Sequence, residues 1–401
     1  MDFKKLTIFL DQLESSYGIP STDCKITKDH LTIYRHQTGY ADYEKKRPVS
    51  NQDLYGLYSA TKLITMVAVL QLIENKKIGL DDELRLYLPE YANMRVADHF
   101  ELKLPLQFPI PWPDSSSPSH QAKQQIRIVD LMSMTSGMSY NLSADPIIEV
   151  KKASHNLATT RDVVAAMAKM PLLYEPRSKW SYSLSHDVLA AVVEVVSGER
   201  FSDYLNKHVF LPLGITDFYF SINQENKQRL SAHYVHDGGT GRSNPVPYDD
   251  ASAFIRITDN YESGGAGLIG SVDAYSAVID ALCDNGFGAN GGRILQKESV
   301  SLFSKNFLDA NMLADFQTAG GEARKGYGYG FGVRVHMDAS TAISPVGEFG
   351  WDGAAGAYAL VDPINHISIF YAQHVTGLPQ SFSKIHPIIR DLAYEAVGFA
   401  R

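Results

Sequence analysis

Ser59-Ala60-Thr61-Lys62-Leu63-Ile64-Thr65-Met66-Val67-Ala68-Val69-Leu70-Gln71-Leu72-Ile73 is the stretch on which the reading of this 401-residue chain turns. Leu63, Met66, Val67, Leu70 and Ile73 recur every three or four residues, the period of one helix face, and most of the residues between them are apolar as well. A helix that is apolar nearly all round must be buried, so the spacing predicts a central helix from near Ser59 to Gly79, where the glycine supplies a stop. The apolar run closes at Lys62 and Glu74, far short of the ~20 residues a bilayer-spanning helix needs.

Ser59 and Lys62 stand three residues apart at the entrance of that helix, which puts a hydroxyl and an amine on one face. A serine is a weak nucleophile until a base takes its proton, and the positive end of a helix favours the negative charge that then develops. The same S-x-x-K spacing recurs at Ser381-Phe382-Ser383-Lys384. Context separates the two: Ser59 has a core-forming helix behind it, whereas Ser381 sits in a polar segment before a short final helix.

Working outward, Phe3, Leu6, Leu10, Leu13 and Tyr17 mark an amphipathic first helix, and Leu31-Thr32-Ile33-Tyr34 alternates as a strand does. Residues 96–125 carry Pro105, Pro109, Pro111, Pro113 and Pro118 together with Ser115-Ser116-Ser117. That composition predicts a long loop without helix or sheet, serving as a lid or as a surface insertion. Residues 126–213 read as helix-rich, with Val188–Val196 the clearest stripe. Near the end, short strands follow at 326–335, 346–351, 354–361 and 367–373, then a closing helix over about 387–397. Strands at both ends with helices between predict an α/β (α+β) protein whose antiparallel sheet is assembled from both ends of the chain. The expected organisation is one unit over 1–401, with an α/β part at roughly 1–60 and 255–401 and a helix-rich part at roughly 61–254.

Thirty-seven Lys plus Arg against 45 Asp plus Glu leave a net charge of −8, which does not suit a nucleic-acid partner. Cys24 and Cys283 are too few and too far apart for a disulfide framework. Leu6–Leu10 is too brief for a secretory leader, so a cytoplasmic protein with no membrane partner is expected. His233-x-x-His236-Asp237 has metal-ligand residue types but no third ligand nearby, so these read as surface residues and no metal is expected. There is no G-x-S-x-G elbow.

Five ordered stretches together resemble the serine β-lactamase and penicillin-binding-protein superfamily, in its class C-like branch with the family VIII carboxylesterases. They are Tyr58-Ser59-Ala60-Thr61-Lys62, Ile126–Gly137 (Ile-Arg-Ile-Val-Asp-Leu-Met-Ser-Met-Thr-Ser-Gly), Trp180-Ser181-Tyr182-Ser183, Ser263-Gly264-Gly265-Ala266-Gly267-Leu268 and Gly350-Trp351-Asp352-Gly353. The resemblance implies a serine β-lactamase-like fold and an acyl-enzyme mechanism without a cofactor. In it Ser59 is the nucleophile, Lys62 its hydrogen-bond partner and a candidate base, and Tyr182 the second base. Lysine and tyrosine both hold their protons in neutral water, so the surroundings must decide which gives way. The implied oxyanion hole is the backbone N–H of Ser59 and of Ala354, the latter expected on a strand starting at Trp351.

Two departures set the expected substrate. Leu184 stands where the β-lactamases carry the Asn of Y-x-N, and Trp351-Asp352-Gly353 stands where they carry K-T-G. Leu184, Trp351, Asp352 and Gly353 are therefore the expected substrate-contacting residues, with Asp352 repelling a carboxylate if it faces the pocket. The implied function is hydrolysis of small esters. The alternatives are acyl transfer, hydrolysis of D-amino-acid amides or peptides, and a catalytically silent ligand-binding relative.

Overall fold

The computed structural model describes residues 1–42, 44–101, 109–247 and 256–399. Its main sheet has eight antiparallel strands in the spatial order Tyr327–Tyr329, Arg334–His336, Phe349–Gly350, Tyr358–Asp362, Ile367–Ala372, Ser21–Lys28, Leu31–Asp42, Arg47–Pro48. The two ends of the sequence meet in its middle, where Ile26 pairs with Ile369 and Cys24 with Tyr371. Alternation sorts the side chains of these strands. Ala359, Val361, Phe370 and Ala372 enter one hydrophobic core, and Tyr358, Leu360, Ile369 and Tyr371 enter another. Each face therefore needs a helical cover. Val272–Cys283 crosses one face, while Lys4–Asp11 and His386–Ala396 supply Leu6, Leu10, Ile389 and Tyr394 to the other. The amphipathic first segment is two helices, Lys4–Asp11 and Leu13–Tyr17, broken at Gln12.

The central helix runs Thr61–Glu74 and is preceded by one 3₁₀ turn, Tyr58–Ala60. Every residue from Thr61 to Leu72 is buried, as its all-round apolar pattern requires. It ends at Glu74, short of Gly79. The helices Ile128–Met132, Asp145–Ala153, Thr160–Met167 and Ser185–Ser197 fill the middle of the chain.

The proline-rich segment departs from expectation. Arg95–Ala97 pairs with Ser119–Gln121 in a two-stranded ladder, so its ends do sustain sheet, the prolines lying between the strands. Ile110 and Trp112 are buried, and Trp112 Nε1 donates to Pro171 O at 2.8 Å. These two side chains anchor the stretch to the core, while 114–116 are exposed. Pro105 and the boundary expected near 254 lie outside the described residues. Among the described residues, no helix is long and apolar enough to cross a membrane.

Candidate active site

A second, three-stranded sheet brings the site together: Ile269–Ser271 lies between Leu54–Gly56 and Phe218–Tyr219, with Ile269 opposite Gly56. The pairing lays the Ser263–Leu268 segment along the start of the central helix. Thr61 Oγ1 accepts from Leu268 N (3.1 Å), Thr65 Oγ1 donates to Gly264 O (2.6 Å), and Lys62 Nζ donates to Gly265 O (2.7 Å). Gly264 is required by crowding: a Cβ there would lie 2.4 Å from His186 O, and any side chain would force the segment off the helix.

Ser59 sits in the 3₁₀ turn, directly after Tyr58, whose φ of 47° is left-handed. A bulky residue reaches this region only at a cost, and such strain persists where packing imposes it. Here Tyr58 is wedged against His233 and His374, at ring-centroid distances of 6.2 and 6.4 Å. Burial holds His233 down to about 4, and His374, pressed further by its neighbour His233, down to about 3. Tyr58 is pushed up to about 12 by burial. The cluster is thus neutral at physiological pH. His233 is a buried residue, against the surface position expected from its motif, because His233 and His374 back the turn that carries Ser59.

Ser59 Oγ receives two hydrogen bonds, from Tyr182 OH at 2.6 Å and from Lys62 Nζ at 3.2 Å. Tyr182 lies in the irregular approach to the Ser185–Ser197 helix, and the Met134–Gly137 turn holds that approach in place. Ser181 N donates to Met134 O (3.0 Å), and Ser136 Oγ lies 2.8 Å from Ser185 Oγ. Tyr182 is then fixed from three sides. Trp351 Nε1 donates to its hydroxyl at 3.2 Å, the Trp351 ring stacks on one side at 5.9 Å, and the Tyr140 ring stacks parallel at 5.4 Å. Lys62 Nζ stands 4.5 Å from the Tyr182 ring centroid, within cation–π range.

The second S-x-x-K pattern is not assembled: Ser381 Oγ accepts from Gln373 Nε2 (3.1 Å) and Lys384 is exposed.

Three expectations are corrected. Leu184 is 1% exposed and packed in the core, its N–H donating to Ser139 O at 3.0 Å, so a packing role replaces the substrate wall. Ala354 lies in the turn joining Phe349–Gly350 to Tyr358–Asp362, closed by Gly353 N to Ala357 O at 2.8 Å, and on no strand. Asp352 is 6% exposed and does not offer a free charge to the pocket. It is paired with Arg324 and Arg334, both at 3.1 Å, and with His386 at 3.3 Å. Burial alone would raise its carboxyl, yet Arg334, His386 and Arg324 outweigh burial and hold it well below the usual carboxylate range. Gly353 has the close approach expected of it: a Cβ there would lie 2.3 Å from Leu57 O, which ties the turn to the segment leading into Ser59.

A family model described as Beta-lactamase matches residues 8–394. The chain belongs to the beta-lactamase family. It is 30% identical over 361 residues to "Esterase EstB" of Burkholderia gladioli, covering 84% of this chain and 81% of that one. It is 24% identical to a "Putative D-alanyl-D-alanine carboxypeptidase" of Escherichia coli K12, over 88% of this chain and 77% of that one. Among solved structures it superposes on "EstCE1, a hydrolase with promiscuous acyltransferase activity" with a TM-score of 0.75 and 25% identity, covering 98% of each chain. The fold is thus that of the beta-lactamase family.

Tyr140 and Asp187 escape a reading of the sequence. Tyr140 sits in a stretch without period. Asp187, wholly buried, reads as an ordinary first-turn acid of a helix. Arg324, whose guanidinium lies 4.5 Å from the Trp351 ring centroid, gives no motif at all.

Proposed function

We propose that the protein is a serine hydrolase that cleaves small esters through an acyl-Ser59 intermediate. One observation carries the reading: the Ser59 hydroxyl is within hydrogen-bond reach of both Tyr182 OH and Lys62 Nζ, the arrangement that activates a serine. Ser59 Oγ attacks the ester carbonyl while its proton passes into the Tyr182–Lys62 pair. The tetrahedral oxyanion is received by the N–H groups of Ser59 and Ala354, a role supported by the packing of the Gly353 turn against Leu57. Collapse expels the alcohol, which takes the proton, and water then attacks the acyl carbon with Tyr182 as its base. The cleft would lie between the sheet-bearing part and the helix-rich part, with Trp351 as one wall.

An acceptor alcohol replacing water would make the same site an acyltransferase, a reading favoured by the likeness to EstCE1. A silent relative has no use for all three of Ser59, Lys62 and Tyr182 in contact. Two unpaired, buried cysteines support a reducing, cytoplasmic location.

The test is a fluorophosphonate probe followed by peptide mapping, alongside turnover of p-nitrophenyl acetate. The adduct is expected on Ser59, and Ser59→Ala should lose it together with about 10⁴-fold in kcat. An adduct on another serine, or none on folded protein, overturns the proposal.

A further inference from the structure

Asp187 is a buried acid that the mechanism above does not use. Its Oδ1 accepts two short hydrogen bonds, from Tyr261 OH (2.5 Å) and Ser263 Oγ (2.6 Å). Its Oδ2 is buried and has no hydrogen-bond partner among the described residues. A carboxylate oxygen left bare in the interior is costly unless a cation stands near it. Gly265 shows which cation does. A Cβ at that position would lie 2.6 Å from Asp187 Oδ2 and 3.5 Å from Lys62 Nζ. The two charges are thus no further apart than the sum of those distances, and a side chain at 265 would press on the carboxylate.

Lys62 has the reciprocal need. It is fully buried, and the neighbours it is known to touch are neutral acceptors and rings: Ser59 Oγ, Gly265 O, and the faces of Tyr140 and Tyr182. His186 beside it is held well below its ordinary value by burial and by the Lys62 charge, so it stays a neutral imidazole. Burial pushes Tyr140 well above the tyrosine range, and Tyr182 and Asp187 push it further, so it remains a phenol. We infer that Asp187 is the counter-charge of Lys62, a positioning residue that holds the amine aimed at Ser59. The inference rests on the proposed roles of Ser59, Lys62 and Tyr182. It adds a residue that reaches the nucleophile through the lysine alone.

Two measurements test it. Asp187→Asn keeps the shape and the Oδ1 acceptor, and with p-nitrophenyl acetate it should lower kcat about 10- to 100-fold, the range for losing a charge at such a separation in a protein interior, with KM changing less than threefold. Added to Lys62→Met, it should cost nothing further. Independently of activity, Lys62→Met strands the carboxylate, so the double variant Lys62→Met/Asp187→Asn should melt about 2–4 °C above Lys62→Met. A double variant that melts at or below Lys62→Met, or does not fold, overturns the pairing. So does an Asp187→Asn enzyme with unchanged kcat. Loss of the charge pair in the stability cycle while Ser59 still takes the fluorophosphonate would refute this inference and leave the hydrolase reading intact. Absence of the label with the cycle intact would do the reverse.

Discussion

Asp352→Asn removes the carboxylate that Arg324 and Arg334 share, and its cost follows from the contacts. At 3.1 Å each, Arg324 and Arg334 interact with Asp352 at about 5 kcal/mol apiece in an effective dielectric near 20, most of which offsets desolvation. Deleting one partner of a buried pair costs about 3–5 kcal/mol because the remaining charge is stranded. Arg334 retains Ala359 O at 3.0 Å and Glu348 at 3.7 Å, which places the loss at the low end, about 3 kcal/mol. For a chain of this length that is a melting-temperature drop of roughly 4 °C. The pH dependence has a definite sign. The folded carboxyl is depressed, so its contribution is fully present above the unfolded value near 3.8 and is lost as the pH falls below it. Urea denaturation of both proteins between pH 8 and pH 3 should therefore show a gap that is constant down to about pH 5 and narrows below about pH 4, by about 1 kcal/mol at pH 3. A gap under about 1 kcal/mol at pH 7, or one that does not narrow in acid, would refute the reasoning.

Further outcomes are expected around Ser59. Lys62→Met and Tyr182→Phe should each cripple turnover in folded protein, and the double variant should be little worse than either, because groups acting as a unit are not additive; initial rates with p-nitrophenyl acetate decide it. Gly265→Ala inserts a methyl 2.6 Å from Asp187 Oδ2 and displaces the carbonyl that anchors Lys62, so kcat should fall about 10²-fold. Trp351→Phe keeps a ring on Tyr182 and deletes the Nε1–H donor; losing that one bond should lower kcat about five- to tenfold, and an unchanged rate would show that the bond does not orient the tyrosine.

Ser59 and Lys62 were singled out from Ser381 and Lys384 by the five ordered stretches around them, since the three-residue spacing alone occurs twice, and the long strands Tyr358–Asp362 and Ile367–Ala372 were legible as apolar runs. What the pattern does not carry is facing. Asp352 was placed at the right position along the chain, but whether it looked into the pocket or into the arginines depended on partners from 324, 334 and 386. Leu184 was assigned to a substrate contact through the resemblance of its stretch to Y-x-N, yet the turn before its helix directs it into the core. The three-residue strands Leu54–Gly56 and Ile269–Ser271 are too short for any period to show, though they bring Gly265 to Lys62. Asp187 carries no local signal, since its nearness to Lys62 shows only once Gly265 is laid beside the central helix.

The sheet built from both ends of the chain has a consequence during synthesis. Ile26 pairs with Ile369, 343 positions later, and at ~5–20 residues per second the ribosome needs roughly 17 to 70 seconds to deliver that partner. For that interval Ser21–Lys28 can form its hairpin with Leu31–Asp42, but its other edge, Cys24 and Ile26 included, stays open. An open apolar edge is a template for pairing with another chain. Crowded expression should therefore capture this protein at the hairpin stage, and slowing initiation, which spaces nascent chains apart, should raise the folded yield more than lowering temperature after synthesis is complete.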